Sequence, residues 1–212
     1  DLDGTLIDTA PDLIRAHNHV MKKFGYPTKK LGELKNAVGK GAKAMMAKAN
    51  GQWKWFDEKI QNEMTNEFLS YYGENIFHES KLINGVKEFL NWCKNENISM
   101  AVCTNKTEHL AVDLLKKIRI YDYFEYVAGY NTFEYCKPDP RHLTTIIEIL
   151  DGDINKSIMI GDSETDANAA KAAEIPIILL KYGYTEKKSS EIYHNHLIKD
   201  FVGIEKIITE YL

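Results

Sequence analysis

The chain has 212 residues, more than one ordinary domain and fewer than two, which favours a single core carrying an insertion. Hydrophobic residues at 44% and charged residues at 27% exclude a disordered chain. A net charge of -4, from 27 Lys and Arg against 31 Asp and Glu with no long block of one sign, excludes a basic tether for nucleic acid or membrane, so an anionic partner must be met locally.

In chain order, the opening DLDGTLID sets Asp1, Asp3 and Asp8 around a Gly-Thr turn. Asp8 reads either as the cap of a helix over residues 10–24 or as a participant in the chemistry. Between residues 12 and 80, apolar positions recur at helical spacing in DLIRAHNHVMKKF and KIQNEMTNEFLSYY, with no strand between them. This predicts a helical cap subdomain over residues 13–81, inserted into a core made of residues 1–12 and 82–212. His17 and His19 are two apart on a helix and do not share a face, so they do not form a metal pair, and Trp53 and Trp55 read as packing residues.

From residue 81 onward, strand and helix patterns alternate. NISMAVCT (97–104) reads as a strand followed by the helix LAVDLLKKI (110–118), and FEYVAGY (124–130) as a strand followed by RHLTTIIEIL (141–150). KSIMIGD (156–162) precedes the helix ETDANAAKAA (164–173), and IPIILLKYG (175–183) closes the series. KKSSEIYHNH (187–196) reads as a polar loop with solvated His194 and His196, and FVGIEKIITEYL (201–212) as a packing helix. The pattern is that of an α/β protein with a Rossmann-like parallel sheet between helices. Ligands of such sheets bind at the carboxyl ends of the strands, where Thr104, Lys137 and Asp162 fall. No stretch has the apolar length to span a bilayer, and Cys93, Cys103 and Cys136 lack CxxC spacing, so reduced thiols and a cytoplasmic location are expected.

Asp1 and Asp3 flank one residue of an extended segment, so their side chains share a side and can address one reacting group in two roles. One carboxylate can attack a phosphoryl group while the other passes a proton, and Gly4 and Thr5 can offer backbone N–H groups to phosphate oxygens. Like charges at ~4 Å repel by several kcal/mol at a protein-like dielectric, so two carboxylates meet a phosphate only with a cation present. Asp162 and Asp166, in GDSETD at a strand-to-helix junction, supply the oxygens that Mg2+ prefers. Each piece alone is ordinary: DxDG as a polar turn, GDSETD as a capped helix start, Lys137 as a solvated lysine, Thr104 as a strand end. Their joint occurrence at strand ends is what points to an enzyme site.

Taken together and in order, DLDGTLID, CTNK (103–106), KPDP (137–140) and GDSETD (161–166) resemble the four motifs of the haloacid dehalogenase (HAD) superfamily, over nearly the whole chain. The resemblance implies the HAD fold with an inserted cap. It implies Asp1 as nucleophile and metal ligand, Asp3 as a backbone-carbonyl ligand and general acid then base, and Asp162 as the other protein ligand, with Asp166 supporting that metal shell. Thr104 and the N–H of Asn105 would hold phosphate oxygens, and Lys137, on a loop set by Pro138 and Pro140, would neutralise charge on Asp1. Asp3 together with Asp162 argues against the dehalogenases, which need no metal and no acid two positions after the nucleophile, and Asp3 against the phosphonate hydrolases, which carry Ala there.

The segments DGTLIDTAPDL (3–13), AVGKGAKAMM (37–46), VCTNK (102–106) and KYGYTE (181–186) look like the phosphoglycolate phosphatase branch. A Mg2+-dependent phosphatase of a small, acidic phosphate monoester is therefore expected, as a monomer or homodimer without nucleic-acid or membrane partner. A sugar-phosphate mutase and a non-catalytic phosphate-binding module are the alternatives. Lys40 and Lys43 of the insertion are the candidates for a substrate carboxylate, the nearby glycines allowing close backbone approach. Two positions depart from the family. Glu174 stands where a Gly usually ends the helix after the last motif, so a left-handed C-cap there is expected to be strained or absent. The family also runs an apolar strand into the residue at Asp1, so the natural chain is expected to extend ~5 to 10 residues upstream as a strand.

Overall fold

The structure, a computed structural model, describes residues 1–34, 38, 41–49 and 58–211. Five of its strands run parallel in two sheets. β3 (Ala101–Cys103) pairs with β4 (Tyr126–Ala128), and β5 (Met159–Gly161) pairs with β6 (Ile177–Leu180), which pairs with β7 (His196–Ile198). The Asp1–Asp3 segment lies beside β5, where the Asp1 nitrogen donates to the Ile160 carbonyl at 2.8 Å.

The period of two along the strands sorts side chains between two cores. In β6, Ile178 and Leu180 join one apolar cluster while Ile177 and Leu179 join the other. The first cluster takes residues of α5 (Val86–Asn95), α6 (Glu108–Lys117) and α9 (Glu205–Ile208), and the second those of α7 (Arg141–Ile149) and α8 (Glu164–Ala172). All four β6 residues are buried, which explains why this strand reads in sequence as an unbroken apolar run. The α/β fold with helices on both faces follows the sequence reading. β7 does not: its start lies in the segment read as a polar loop. Three residues beginning with His carry no clear strand pattern, and only pairing of Ile178, Leu179 and Leu180 with His196, Leu197 and Ile198 orders them.

Two short strands missed by the sequence reading, β1 (Ile7–Asp8) and β2 (Lys81–Leu82), pair antiparallel and bracket the insertion. Between them lie α1 (Ala10–Lys23), α2 (Leu31–Leu34), α3 (Ala42–Ala49) and α4 (Glu58–Glu74). Helix α1 starts behind Thr9 with Pro11 in its first turn and ends in Lys22 and Lys23, in accord with the helix dipole. It runs across position 12/13, so the segment boundary read from sequence falls inside a helix. Its buried stripe of Leu13, Ile14, His17, Val20 and Met21 packs against α4, which buries Met64, Phe68 and Tyr72 at intervals of four. His17 is thus a core residue, and His19 pairs instead with Glu67 of α4 at 2.8 Å and stacks on Tyr71.

Asp12 fastens α1 to the returning chain. Its carboxylate accepts the backbone N–H groups of His78, Glu79 and Ser80 and the Ser80 hydroxyl, at 2.6 to 3.1 Å. Burial opposes its charge, but the Ser80 hydroxyl and these N–H groups outweigh it and hold Asp12 below its ordinary 3.8. Asp12→Asn is expected to cost about 3 kcal/mol of unfolding free energy at pH 7, since it turns a donor toward buried donors. A carboxyl held low in the folded state stabilises fully above its ordinary value and loses that contribution as pH falls through the lower folded value. The denaturation midpoints of the wild type and the variant should therefore converge only as pH falls below 3.8. Equal midpoints at pH 7 would refute the role.

At the end of α8, Glu174 adopts φ 59°, with Ile175 N–H donating to Ala170 O at 2.9 Å and Glu174 N–H to Lys171 O at 3.2 Å. This is a complete Schellman turn, so the left-handed cap is present without a glycine, at a conformational cost of roughly 1 kcal/mol.

Candidate active site

The turn after Asp3 is built to pass close under a carboxylate. Leu2 is fully buried between Asp1 and Asp3 and anchors the turn, its carbonyl accepting from Leu6 and Ile7 at 3.0 and 3.1 Å. Gly4 sits at φ 84°, and any Cβ there would collide with the Asp162 carboxylate and the Tyr184 ring. The Gly4 N–H donates to Ile7 O at 2.8 Å and the Thr5 N–H to Leu2 O at 3.3 Å. Both donors read from sequence as phosphate contacts are therefore spent inside the turn, because the chain reverses too tightly to leave them outward. Thr5 acts instead through its side chain, its hydroxyl donating to Asp162 Oδ1 at 3.0 Å.

Asp162 directly follows β5, with Tyr184 N–H donating to its Oδ2 at 2.6 Å. Gly183 makes that approach possible, since a Cβ there would strike Asp162. Burial, with Asp166 adding to it, pushes the Asp162 carboxyl up to about 7. Asp166 closes a capping box at the start of α8, accepting from Ser163 N–H and Oγ at 3.1 and 2.7 Å and from Asp162 N–H at 3.2 Å. Burial disfavours its charge as well, but the Lys137 ammonium prevails and holds Asp166 low.

Lys137 is buried and bridges two carboxylates, 3.0 Å from Asp1 Oδ1 and 2.5 Å from Asp166 Oδ1. Its backbone is pinned from both sides: its N–H donates to His142 Nδ1 at 3.2 Å, and its carbonyl accepts from Asn105 Nδ2 at 2.8 Å. Burial and the nearby ammonium push His142 down to about 4, so the ring is neutral and accepts at Nδ1. Thr104 extends β3 by donating its N–H to Ala128 O at 2.9 Å, and its hydroxyl accepts from Lys106 N–H at 3.2 Å. Neighbouring Cys103 is no nucleophile, as burial pushes its thiol up to about 11.

Asp1, Asp162 and Asp166 each bring an oxygen within 4.8 Å of the others. One ammonium among three clustered carboxylates leaves the group net anionic, and Asp162 is hydrogen-bonded by a hydroxyl and an N–H alone among the described residues. Hard oxygen donors with uncompensated charge fit a divalent cation such as Mg2+. Asp1 and Asp162 have the freer oxygens, whereas Asp166 spends both on Lys137, Ser163 and the Asp162 N–H, in keeping with a supporting place.

Above the cluster opens a cavity of about 450 Å3, reached by Asp1, Asp3, Thr104, Asn105, Lys137 and Asp166 from the sheet side and by Lys43 from α3. Phe68 and Tyr72 of α4 and Leu13 of α1 form its apolar wall. Lys43 is exposed, and Lys40, Trp53 and Trp55 lie outside the described residues. Asp8 neither caps α1 nor enters the cavity; it accepts from the Tyr184 hydroxyl at 2.5 Å, and that hydroxyl accepts the Ala10 N–H at 2.9 Å.

Sequence reasoning missed Lys106. Its Nζ lies 3.0 Å from both Asp3 oxygens and 2.9 Å from the Tyr72 hydroxyl, and 4.4 Å above the Tyr72 ring. It stands in the CTNK segment, but nothing local marks a lysine as buried.

This is a parallel-sheet hydrolase fold with carboxylates and lysines gathered at the strand ends. Residues 1–180 match the model of the haloacid dehalogenase-like hydrolases, and the chain belongs to that family. Similar proteins include phosphoglycolate phosphatases of Agrobacterium fabrum, 37% identical over 100% of this chain and 91% of that one, and of Mesorhizobium japonicum, 35% identical over 100% and 94%. A crystal structure of a predicted phosphoglycolate phosphatase from Haemophilus somnus superposes with a TM-score of 0.92 at 27% identity, over 98% of this chain and 95% of that one. The chain is thus a hydrolase of the phosphatase type.

Proposed function

We propose that the chain is a Mg2+-dependent phosphatase of a small acidic phosphate monoester, with phosphoglycolate the foremost candidate, acting through an aspartyl-phosphate on Asp1. The observation that carries this reading is the buried cluster in which Lys137 joins Asp1 to Asp166 beside Asp162, at the floor of a cavity that Asp3 also lines. The names of the relatives support the substrate class.

Asp1, Asp162 and the Asp3 carbonyl would hold Mg2+, with Asp166 behind them; when bound, it supplies positive charge beside the transferring phosphoryl group. The Asp1 carboxylate attacks phosphorus, and Lys137 offsets charge on Asp1 and the phosphoryl oxygens. Thr104 and the Asn105 N–H orient those oxygens. Asp3 gives a proton to the leaving oxygen, then takes one from the water that hydrolyses the acyl phosphate. Residues 13–81 act as a cap over a core of 1–12 and 82–212 and choose the leaving group, with Lys40 and Lys43 attracting its carboxylate. No helix among the described residues is long and apolar enough to cross a membrane, and we assign the enzyme to the cytoplasm, as a monomer or homodimer on a small-molecule ester.

The test is phosphate release from a panel of phosphomonoesters with Mg2+ and with EDTA. Release only with Mg2+, fastest from phosphoglycolate, is expected; release unaffected by EDTA, or none from any ester, would overturn the proposal. The mutase alternative would show as a requirement for a bisphosphorylated sugar. Because Lys43 is exposed, Lys43→Ala is expected to raise KM for phosphoglycolate only ~3- to 5-fold, with p-nitrophenyl phosphate unchanged. An equal rise for both esters would remove Lys43 from carboxylate binding.

A further inference from the structure

Three lysines among the described residues line the cavity: Lys43, Lys106 and Lys137. They occupy different places relative to the reaction. Lys137 is held between Asp1 and Asp166, on the side of the attacking carboxylate. Lys43 is exposed on α3. Lys106 is buried, and its ammonium lies 3.0 Å from both oxygens of Asp3, the group that protonates the leaving oxygen. It therefore marks the leaving-group side. Asp3 and the Tyr72 hydroxyl fix its position, and Phe68, stacked on Tyr72, and Leu110 add apolar surface to the same cavity.

We infer that Lys106, with the Tyr72 hydroxyl beside it, directly contacts the substrate's carboxylate, which the exposed Lys43 only attracts from solvent, and so determines specificity for an acidic leaving alcohol. The inference rests on the proposed phosphatase reading and deepens it. A general acid must come within ~3 Å of the ester oxygen it protonates. In a 2-phosphoryloxy acid the carboxylate carbon is two bonds from that oxygen, so a carboxylate placed there falls within reach of an ammonium that already touches the acid. The three N–H donors of Lys106 meet the two Asp3 oxygens and the Tyr72 hydroxyl, so a substrate carboxylate takes over one of the two donors that Asp3 holds and leaves Asp3 singly paired. The Tyr72 hydroxyl donates its own proton to the second carboxylate oxygen while it accepts from Lys106. A neutral leaving group brings no charge to this pair and at most one hydroxyl in place of two carboxylate oxygens, so it leaves the buried ammonium under-compensated, which is the stronger basis for rejection. Tyr72 belongs to α4, so the recognition pair is shared between the sheet and the insertion, and it forms only when the two meet.

The experiment compares phosphoglycolate with 2-hydroxyethyl phosphate, of the same length without the carboxylate, in wild-type, Lys106→Met and Tyr72→Phe enzyme, each with Mg2+. Loss of Lys106 also frees Asp3, so both esters should slow; the informative quantity is the difference between them. In Lys106→Met, kcat/KM for phosphoglycolate is expected to fall at least 30-fold further than for the neutral ester. In Tyr72→Phe, which leaves Lys106 and Asp3 paired, the further loss is expected to be 3- to 10-fold and to appear in KM. Equal losses for the two esters in both variants would overturn the inference and reduce Lys106 to a counter-ion of Asp3. Should Lys106→Met not fold, the KM ratio of Tyr72→Phe decides. A wild type that hydrolyses both esters equally well would instead overturn the acidic-substrate reading itself, before any variant is made.

Discussion

Asp1→Asn is expected to lower kcat on the order of 10^4-fold or more, with the thermal midpoint within a few degrees of wild type. The amide keeps the size of the side chain and an oxygen toward Lys137, but it is no nucleophile, so no acyl phosphate can form. The fold should tolerate the change because Lys137 retains Asp166 as a partner and the cluster loses one of three crowded carboxylates. The check has two arms. Steady-state phosphate release measures the rate. Rapid acid quenching with labelled ester should trap a hydroxylamine-sensitive phosphoenzyme in the wild type and none in the variant. Turnover retained within tenfold would place the nucleophile elsewhere.

Lys137→Met is expected to show the second large effect, and in two measurements at once. It should reduce kcat ~10^2- to 10^3-fold, since a fixed charge beside the attacking carboxylate and the phosphoryl group is lost. It should also destabilise the metal-free protein by about 3–5 kcal/mol, because a methionine leaves Asp1 and Asp166 buried without their counter-charge. Asp166 is fully buried and Asp1 partly so, which keeps solvent from screening the loss. Saturating Mg2+ should recover part of the stability and little of the rate, because a cation bound only to the folded state stabilises it but does not occupy the place of the lysine. Denaturant titrations with Mg2+ and with EDTA would measure this. An unfolding free energy unchanged in EDTA would show that the lysine is not the counter-ion of the cluster.

Thr104, Lys137 and Asp162 are recognisable because each falls at or after a strand signal, and parallel strands deliver their carboxyl ends to one edge, whereas Asp1, Asp3 and Asp166 are recognisable from the DxDG and GDSETD spacing. The structure brings all six to that edge. Tyr184 also falls after a strand, yet its N–H on Asp162 and its hydroxyl on Asp8 join positions 22 and 176 residues away, and no local pattern encodes such partners. At Glu174 the missing glycine signals a strained helix end, and the left-handed cap does form at φ 59° with both of its hydrogen bonds, the strain being the cost of a side chain there.

The sequence by itself determined the class of fold, the order of strands and helices from residue 97 to 180, and the residue types gathered at the strand ends, because hydrophobic period and strand termini are local properties of the chain. What required the folded chain was the cation of Asp3 and the second partner of Lys137, since the motifs already imply the pairing of Lys137 with Asp1. Lys137 and Lys106 are indistinguishable as sequence letters, yet one is held by Asp1 and Asp166 and the other by Asp3 and by Tyr72 from a helix 34 residues earlier. The reason is physical: a lysine stays charged in a buried site only where several distant groups converge to replace its water, and that convergence exists only in the folded chain.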